Sequence, residues 1–139
     1  MRCRSSQAGF TLIEIMVVVL ILGLLAALVV PKIVGRTDDA RVTRAKVDIK
    51  AIESALNLFK IDNGFYPNSG EGLTALVQAP PRARKWSPDG YLDKVPVDPW
   101  GTEYIYQSDG RQIVIVSTGA DGVEGGEGYN ADISNHSIE

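Results

Sequence analysis

Hydrophobic side chains are concentrated in one block close to the N-terminus. From Ile15 to Val30 the chain carries no charged or strongly polar side chain. A helix over Phe10–Val30 is roughly 30 Å long, which matches the thickness of the hydrocarbon core of a bilayer. The pattern therefore predicts a transmembrane helix over residues 10–30.

Two basic residues, Arg2 and Arg4, precede this block. By the positive-inside rule they hold the N-terminus in the cytoplasm, so the remainder of the chain is expected outside it. The alternative is a cleaved secretory signal, with Ala26 and Ala27 as small residues near the cut. That alternative fits less well, because its apolar region is normally shorter and because an acid such as Glu14 costs up to roughly 2.5 to 3.5 kcal/mol in an inserted helix.

A second helical pattern follows the apolar block. Pro31 lacks a backbone donor and Gly35 weakens helix propensity, so we expect a kink near Pro31, between residues 27 and 37. Beyond it, apolar residues recur at steps of three and four, which predicts an amphipathic helix that ends at Asn63-Gly64. The residues of its apolar face are Val42, Ala45, Ile49, Ile52, Leu56 and Phe59.

The rest of the chain has the pattern of a small mixed domain. It predicts a short helix over residues 73–78, and two strands over Glu103–Gln107 and Gln112–Ser117 that a Ser-Asp-Gly turn joins as a hairpin. In the segment "VPVDPWG" we expect Trp100 to pack into the core at a rigid turn. The predicted fold class is α+β, with a small antiparallel sheet laid against the long helix.

Charge and composition exclude several functions. The formal net charge of −3 gives no electrostatic support to nucleic-acid binding. Cys3 is the single cysteine, so the chain cannot form an internal disulfide. The sequence contains no credible Ser-His-Asp or Cys-His set for catalysis, because the single histidine, His136, lies in a C-terminal segment that we expect to be mobile. A phosphate-binding loop is also absent from the sequence. We therefore expect a protein that is not an enzyme.

The glycine-rich stretch from Ser117 to Ile133 contains a series of oxygen donors. Glycine loses more backbone entropy on ordering than other residues, so this loop needs something that holds it together. Calcium, which takes six to eight oxygen ligands, fits the donors Asp121, Glu124, Glu127, Asn130 and Asp132. An EF-hand is rejected because Val123 and Gly125 occupy ligand positions. Composition alone leaves open a calcium loop or a disordered acidic tail.

The stretch Gly9-Phe10-Thr11-Leu12-Ile13-Glu14 resembles the cleavage motif of type IV prepilins. The resemblance implies that a prepilin peptidase cuts between Gly9 and Phe10 and N-methylates the new terminus. It also implies an assembly role for Glu14, whose carboxylate would pair with the α-amino group of a neighbouring subunit. The implied organisation is a leader peptide over residues 1–9, a transmembrane and assembly helix over 10–30, and a globular domain over 31–139.

Further motifs narrow the resemblance. The segments "DNGFYP", "GYL", "VPVDPWG" and "STGADG…NADI" together resemble the major pseudopilin family of bacterial type II secretion systems. The resemblance implies a pilin-like fold with a calcium-stabilised C-terminal loop. The implied ligands are the side chains of Asp121 and Asp132, oxygens of Ser117 and the backbone carbonyl of Thr118, and Asn130 where many relatives have an acid.

Function follows from the same resemblance. Subunits would be anchored in the inner membrane with a periplasmic head, and would polymerise through their N-terminal helices into a pseudopilus that helps to export folded periplasmic proteins. The implied partners are the prepilin peptidase, minor pseudopilins, and an inner-membrane platform with its secretion ATPase. Two alternatives stay open: a pilin of a type IV or competence pilus, and a monomeric calcium-dependent domain on a membrane anchor.

Overall fold

The computed structural model describes residues 9–138, with the side chains of residues 28–36 left outside the description. One helix, α1, runs from Leu12 to Asn63. The chain divides into two compact units between Thr37 and Asp38. The predicted leader over residues 1–9 lies outside the described residues except for Gly9. The kink predicted near Pro31 falls within residues 28–36, whose side chains are outside the description, and it stays a prediction.

The N-terminal part of α1 exposes its apolar side chains. The helix begins behind Thr11, whose carbonyl and hydroxyl oxygens both accept a hydrogen bond from the backbone N–H of Glu14. Every described side chain from Phe10 to Ala27 is exposed, and Leu12 is exposed by 79%. Within the described part of the chain, no helix is both long enough and apolar enough to cross a membrane.

The C-terminal part of α1 has the predicted apolar face. Five of its residues are buried and Val42 is half-buried; the five are Ala45, Ile49, Ile52, Leu56 and Phe59. The helix ends where the sequence predicts, because Gly64 adopts a φ of 84° and its N–H donates to the carbonyl of Lys60 at 2.7 Å. The amphipathic helix and its C-terminal end are confirmed.

Three short strands form an antiparallel sheet in the order β1-β2-β3. Strand β1 spans Ile105–Ser108, β2 spans Ile113–Ser117 and β3 spans Ile133–Ser134. The hairpin β1-β2 is confirmed, although β1 begins later than predicted because Glu103 pairs with Val97 in an isolated bridge. Strand β3 was not predicted.

The sheet and α1 share one hydrophobic core. Ile113, Ile115 and Ile133 of the sheet lie in the same buried cluster as Phe59 of the helix, and Trp100 packs against it as predicted. The segment predicted as a helix over 73–78 is a 3-10 helix over Leu73–Leu76. A single turn closes more readily with i→i+3 hydrogen bonds, and the prolines that follow stop its extension.

Candidate metal-binding loop

The glycine-rich loop joins two neighbouring strands of the sheet. Strand β2 ends at Ser117 and β3 begins at Ile133, and these two residues face each other in the antiparallel register. Both ends of the loop are therefore held at one place by the sheet, while residues 120–130 between them are exposed. This closes the loop into a compact surface feature.

Two sides of the loop approach each other closely. The N–H of Ala120 donates to the carbonyl of Tyr129 at 2.9 Å, and the N–H of Gly125 donates to Asp132 Oδ2 at 3.0 Å. A Cβ on Gly126, whose φ is 86°, would lie 2.5 Å from the carbonyl oxygen of Asn130. This close approach requires glycine.

Gly126→Ala is expected to lower the stability of the head and to lower the affinity of the loop for any ligand that it binds. The added methyl group would strain a left-handed residue by about 1 to 2 kcal/mol and would also push away the backbone at Asn130. Gly125→Ala is the matched control, because Gly125 has a φ of 100° but a Cβ there would have no described atom within 4 Å. Thermal unfolding should show the larger loss for Gly126→Ala, and equal losses would contradict the close approach.

The five predicted ligand residues lie at the two ends of this loop. Ser117 and Thr118 are buried, at 0% and 3% exposure, on the side of β2. Asp132 accepts the N–H of Gly125, and Asp121 Oδ1 accepts the N–H of Val123 at 3.1 Å. Asn130 lies beside Gly119 and Gly126, both of which approach its backbone. The structure thus brings the first and the last part of the loop together.

The donor chemistry of these residues fits calcium. They offer two carboxylates, one amide, hydroxyl oxygens and a backbone carbonyl, all of which are hard oxygen ligands. Thr118 Oγ1 is buried and has no hydrogen-bond partner within the part of the chain that the structure describes. Residues 9–27 and 37–138 contain no group of three or more His, Cys, Asp or Glu side chains that could hold a metal ion. A cation here would therefore rely on neutral oxygens in addition to Asp121 and Asp132.

Asp98 contacts one of the predicted ligand residues, and the sequence motifs did not indicate this contact. It is 4% exposed, and its Oδ1 accepts the N–H groups of Trp100 and Thr102 at 3.0 and 2.8 Å. Its Oδ2 accepts the hydroxyl of Ser117 at 2.7 Å. An aspartate followed by Pro-Trp-Gly is a turn signal, and the signal indicates the turn but not the contact with Ser117.

Two further contacts tie the loop region to the rest of the head. The hydroxyl of Tyr129 donates to Asp39 Oδ1 at 3.1 Å, and this hydrogen bond to a carboxylate raises the pKa of Tyr129. Asn135 is buried and its Oδ1 accepts the N–H of Ile115 at 2.9 Å, while its own N–H donates to the carbonyl of Ile115. Neither contact was predicted. Asn135 continues the pairing of the C-terminal segment with β2.

The predicted processing site lies at the start of the described chain. Gly9 and Phe10 are exposed, and Glu14 is exposed in the first turn of α1. Gly9 has open space where a Cβ would be, as far as the described atoms show.

Comparisons with known proteins identify the family. The family described as "Type II secretion system (T2SS), protein G" matches residues 32–136, and the "Prokaryotic N-terminal methylation motif" matches residues 4–30. A relative from Pseudomonas aeruginosa named "Type II secretion system core protein G" is 56% identical over 95% of this chain and 96% of its own. A relative of the same name from Vibrio cholerae is 47% identical over 100% of this chain and 98% of its own.

A solved structure agrees with these sequence matches. The crystal structure of the major pseudopilin from the type 2 secretion system of enterohaemorrhagic Escherichia coli is similar with a TM-score of 0.63 and 38% identity. The match covers 77% of this chain and 96% of that one. The chain therefore belongs to the protein G family of the type II secretion system.

Proposed function

We propose that this chain is a structural subunit of the pseudopilus of a bacterial type II secretion system. It polymerises into a helical filament that helps to export folded periplasmic proteins across the outer membrane. The observation that carries this proposal is the exposed apolar helix from Leu12 to Ala27, joined to a head of the protein G family. A large exposed apolar surface marks a site that a membrane or another protein covers.

Processing precedes assembly in this proposal. A prepilin peptidase removes residues 1–9 and N-methylates Phe10, which the match to the methylation motif supports. The cut creates an α-amino group at Phe10, four residues before Glu14. In a staggered stack of helices this amine pairs with the carboxylate of Glu14 in the next subunit, and the pair sets the register more than it adds net stability.

Before assembly the subunit is anchored in the inner membrane by residues 10–30, with its N-terminus in the cytoplasm and its head in the periplasm. Arg2 and Arg4 support this orientation. The homopolymer then forms the filament, together with minor pseudopilins, an inner-membrane platform and the secretion ATPase. We assign the chain no catalytic step.

Calcium is the proposed ligand of the C-terminal loop. Ser117, Thr118, Asp121, Asn130 and Asp132 would hold it through side-chain oxygens and the carbonyl of Thr118. The ion supplies positive charge that links the two ends of the loop. The loop contains positive-φ glycines at 119, 122, 125, 126 and 128, so its own backbone gives it little rigidity.

Deleting the gene in its native host tests the proposal. We expect secreted enzymes to accumulate in the periplasm, whereas twitching motility and DNA uptake continue, because the filament serves secretion. Complementation with the wild-type gene is the control and should restore secretion. Normal secretion with lost twitching or transformation would instead assign the chain to a type IV or competence pilus.

A further inference from the structure

We infer that Asp98 is a positioning residue for calcium, because it orients the hydroxyl of Ser117 as a ligand of the C-terminal loop. This inference rests on the proposed calcium site and adds to it a residue outside the loop. Asp98 lies 19 positions before Ser117, in the turn that precedes β1. It would act through Ser117 without touching the ion.

The hydrogen bond between these two residues decides what Ser117 can do. A serine hydroxyl has one proton and two lone pairs. In this structure the proton is donated to Asp98 Oδ2 at 2.7 Å, where both residues are buried. One lone pair of the Ser117 oxygen accepts the backbone N–H of Gly119 at 3.4 Å. With the proton on the side of Asp98, the second lone pair is the one that could bind a cation.

Asp98 is itself held firmly by its own turn. The backbone N–H groups of Trp100 and Thr102 donate to its other oxygen, Oδ1, and its own N–H donates to the carbonyl of Thr102 at 2.8 Å. The carboxylate therefore has little freedom to rotate away from Ser117. Partners of this kind fix the orientation of a ligand atom, and their loss typically weakens metal binding by roughly 10- to 100-fold.

The same turn also borders the loop at a second point. A Cβ on Gly122, in the middle of the loop, would lie 3.4 Å from Oγ1 of Thr102. The turn therefore lies close to the loop at Gly122 as well as at Ser117. A loop that closes around calcium would close against a rigid surface that Asp98 organises.

A purely structural role for Asp98 predicts a different result. If Asp98 only stabilises the turn, its replacement would lower stability by the same amount with and without calcium. If it positions Ser117, its replacement would weaken the affinity for calcium as well. Affinity is therefore the measurement that separates the two roles.

The test compares Asp98→Asn with the wild type, using the full chain in detergent and calorimetric titration with calcium chloride. The asparagine amide can keep an oxygen for the turn, but its NH2 group then faces Ser117 and forces the serine oxygen to accept. The hydroxyl proton of Ser117 must then point away from residue 98. We expect the dissociation constant for calcium to rise by roughly 10- to 100-fold. Asp109→Asn is the matched control, because Asp109 also accepts two backbone N–H groups in a turn, those of Arg111 and Gln112.

A double-mutant cycle with Ser117→Ala completes the test. Because Asp98 acts through Ser117, the double variant should bind calcium no more weakly than Ser117→Ala alone. An unchanged dissociation constant in Asp98→Asn would overturn the inference and leave the calcium proposal intact. Tryptophan fluorescence in chelator shows whether Asp98→Asn folds. If it does not fold, Ser117→Ala replaces it in the titration, and a wild-type affinity for calcium in Ser117→Ala would overturn the inference. Absence of calcium binding by the wild type would overturn the proposed ligand itself.

Discussion

Glu14→Leu is expected to abolish incorporation of the subunit into filaments while leaving membrane insertion and leader cleavage intact. Leucine is at least as favourable as glutamate in an apolar helix, so insertion does not suffer. The α-amino group of Phe10 in each neighbouring subunit, however, would lose its counter-charge. An uncompensated buried charge costs roughly 3 to 5 kcal/mol. Because the cost recurs at every subunit, polymerisation should fail.

Conversion of the cells to spheroplasts releases the periplasmic contents, and an immunoblot of the sedimented filament fraction then measures the effect. Mass spectrometry of the membrane fraction should find Phe10 as the mature N-terminus of the variant, which shows that processing is normal. Ile13→Leu serves as the control, since it changes a neighbouring exposed side chain without a change of charge. Wild-type filament levels from Glu14→Leu would contradict a charge pair at the subunit contact.

Removal of calcium is expected to lower the Tm of the head by several degrees. A ligand that binds the folded state alone adds about 2.7 kcal/mol when its concentration is one hundred times the dissociation constant. In a domain of about a hundred residues this amounts to a shift of several degrees in Tm. The ion would act by joining the two ends of a loop whose glycines otherwise leave it free to open.

Thermal unfolding of residues 38–139 with calcium and with chelator measures the effect. Residues 38–139 form one of the two compact units of the chain, which supports the use of the head without the preceding residues. Asp132→Ala should abolish the difference between the two conditions. Glu124→Ala should retain it, because Glu124 is an exposed acid of the same loop outside the proposed ligand set. Equal Tm values for the wild type would exclude a stabilising calcium ion.

Elements with a repeating pattern were predictable from the sequence. In the C-terminal part of α1 the apolar residues recur with helical period, so this pattern predicted their burial, and Asn63-Gly64 predicted the end of the helix. The hairpin β1-β2 was also predictable, because β-branched and tyrosine residues flank a Ser-Asp-Gly turn. In both cases the signal is carried by residues that are close in the sequence.

Strand β3 carries no such signal. Ile133–Ser134 has two residues, too few for a period, and it becomes a strand because Ser117 and Val116 of β2 pair with it. In the candidate site, too, some residues could be predicted from the sequence and others could not. Oxygen donors among glycines indicate a metal loop, and the resemblance to the major pseudopilins supplied its ligand set. The link between Asp98 and the candidate site became visible only in the structure, from its hydrogen bond with Ser117.

The sequence by itself determined the apolar N-terminal helix, the processing motif at Gly9 and Phe10, the amphipathic face of α1 and the acidic glycine-rich loop. Each of these depends on residue type and on spacing over a few positions. The tertiary structure alone decided that Asp98 meets Ser117, that Asn135 pairs with β2 and that Tyr129 reaches Asp39, 90 positions away. Such partners are brought together by packing of the whole head, and hydrogen-bonding capacity in the sequence does not specify which distant group will satisfy it.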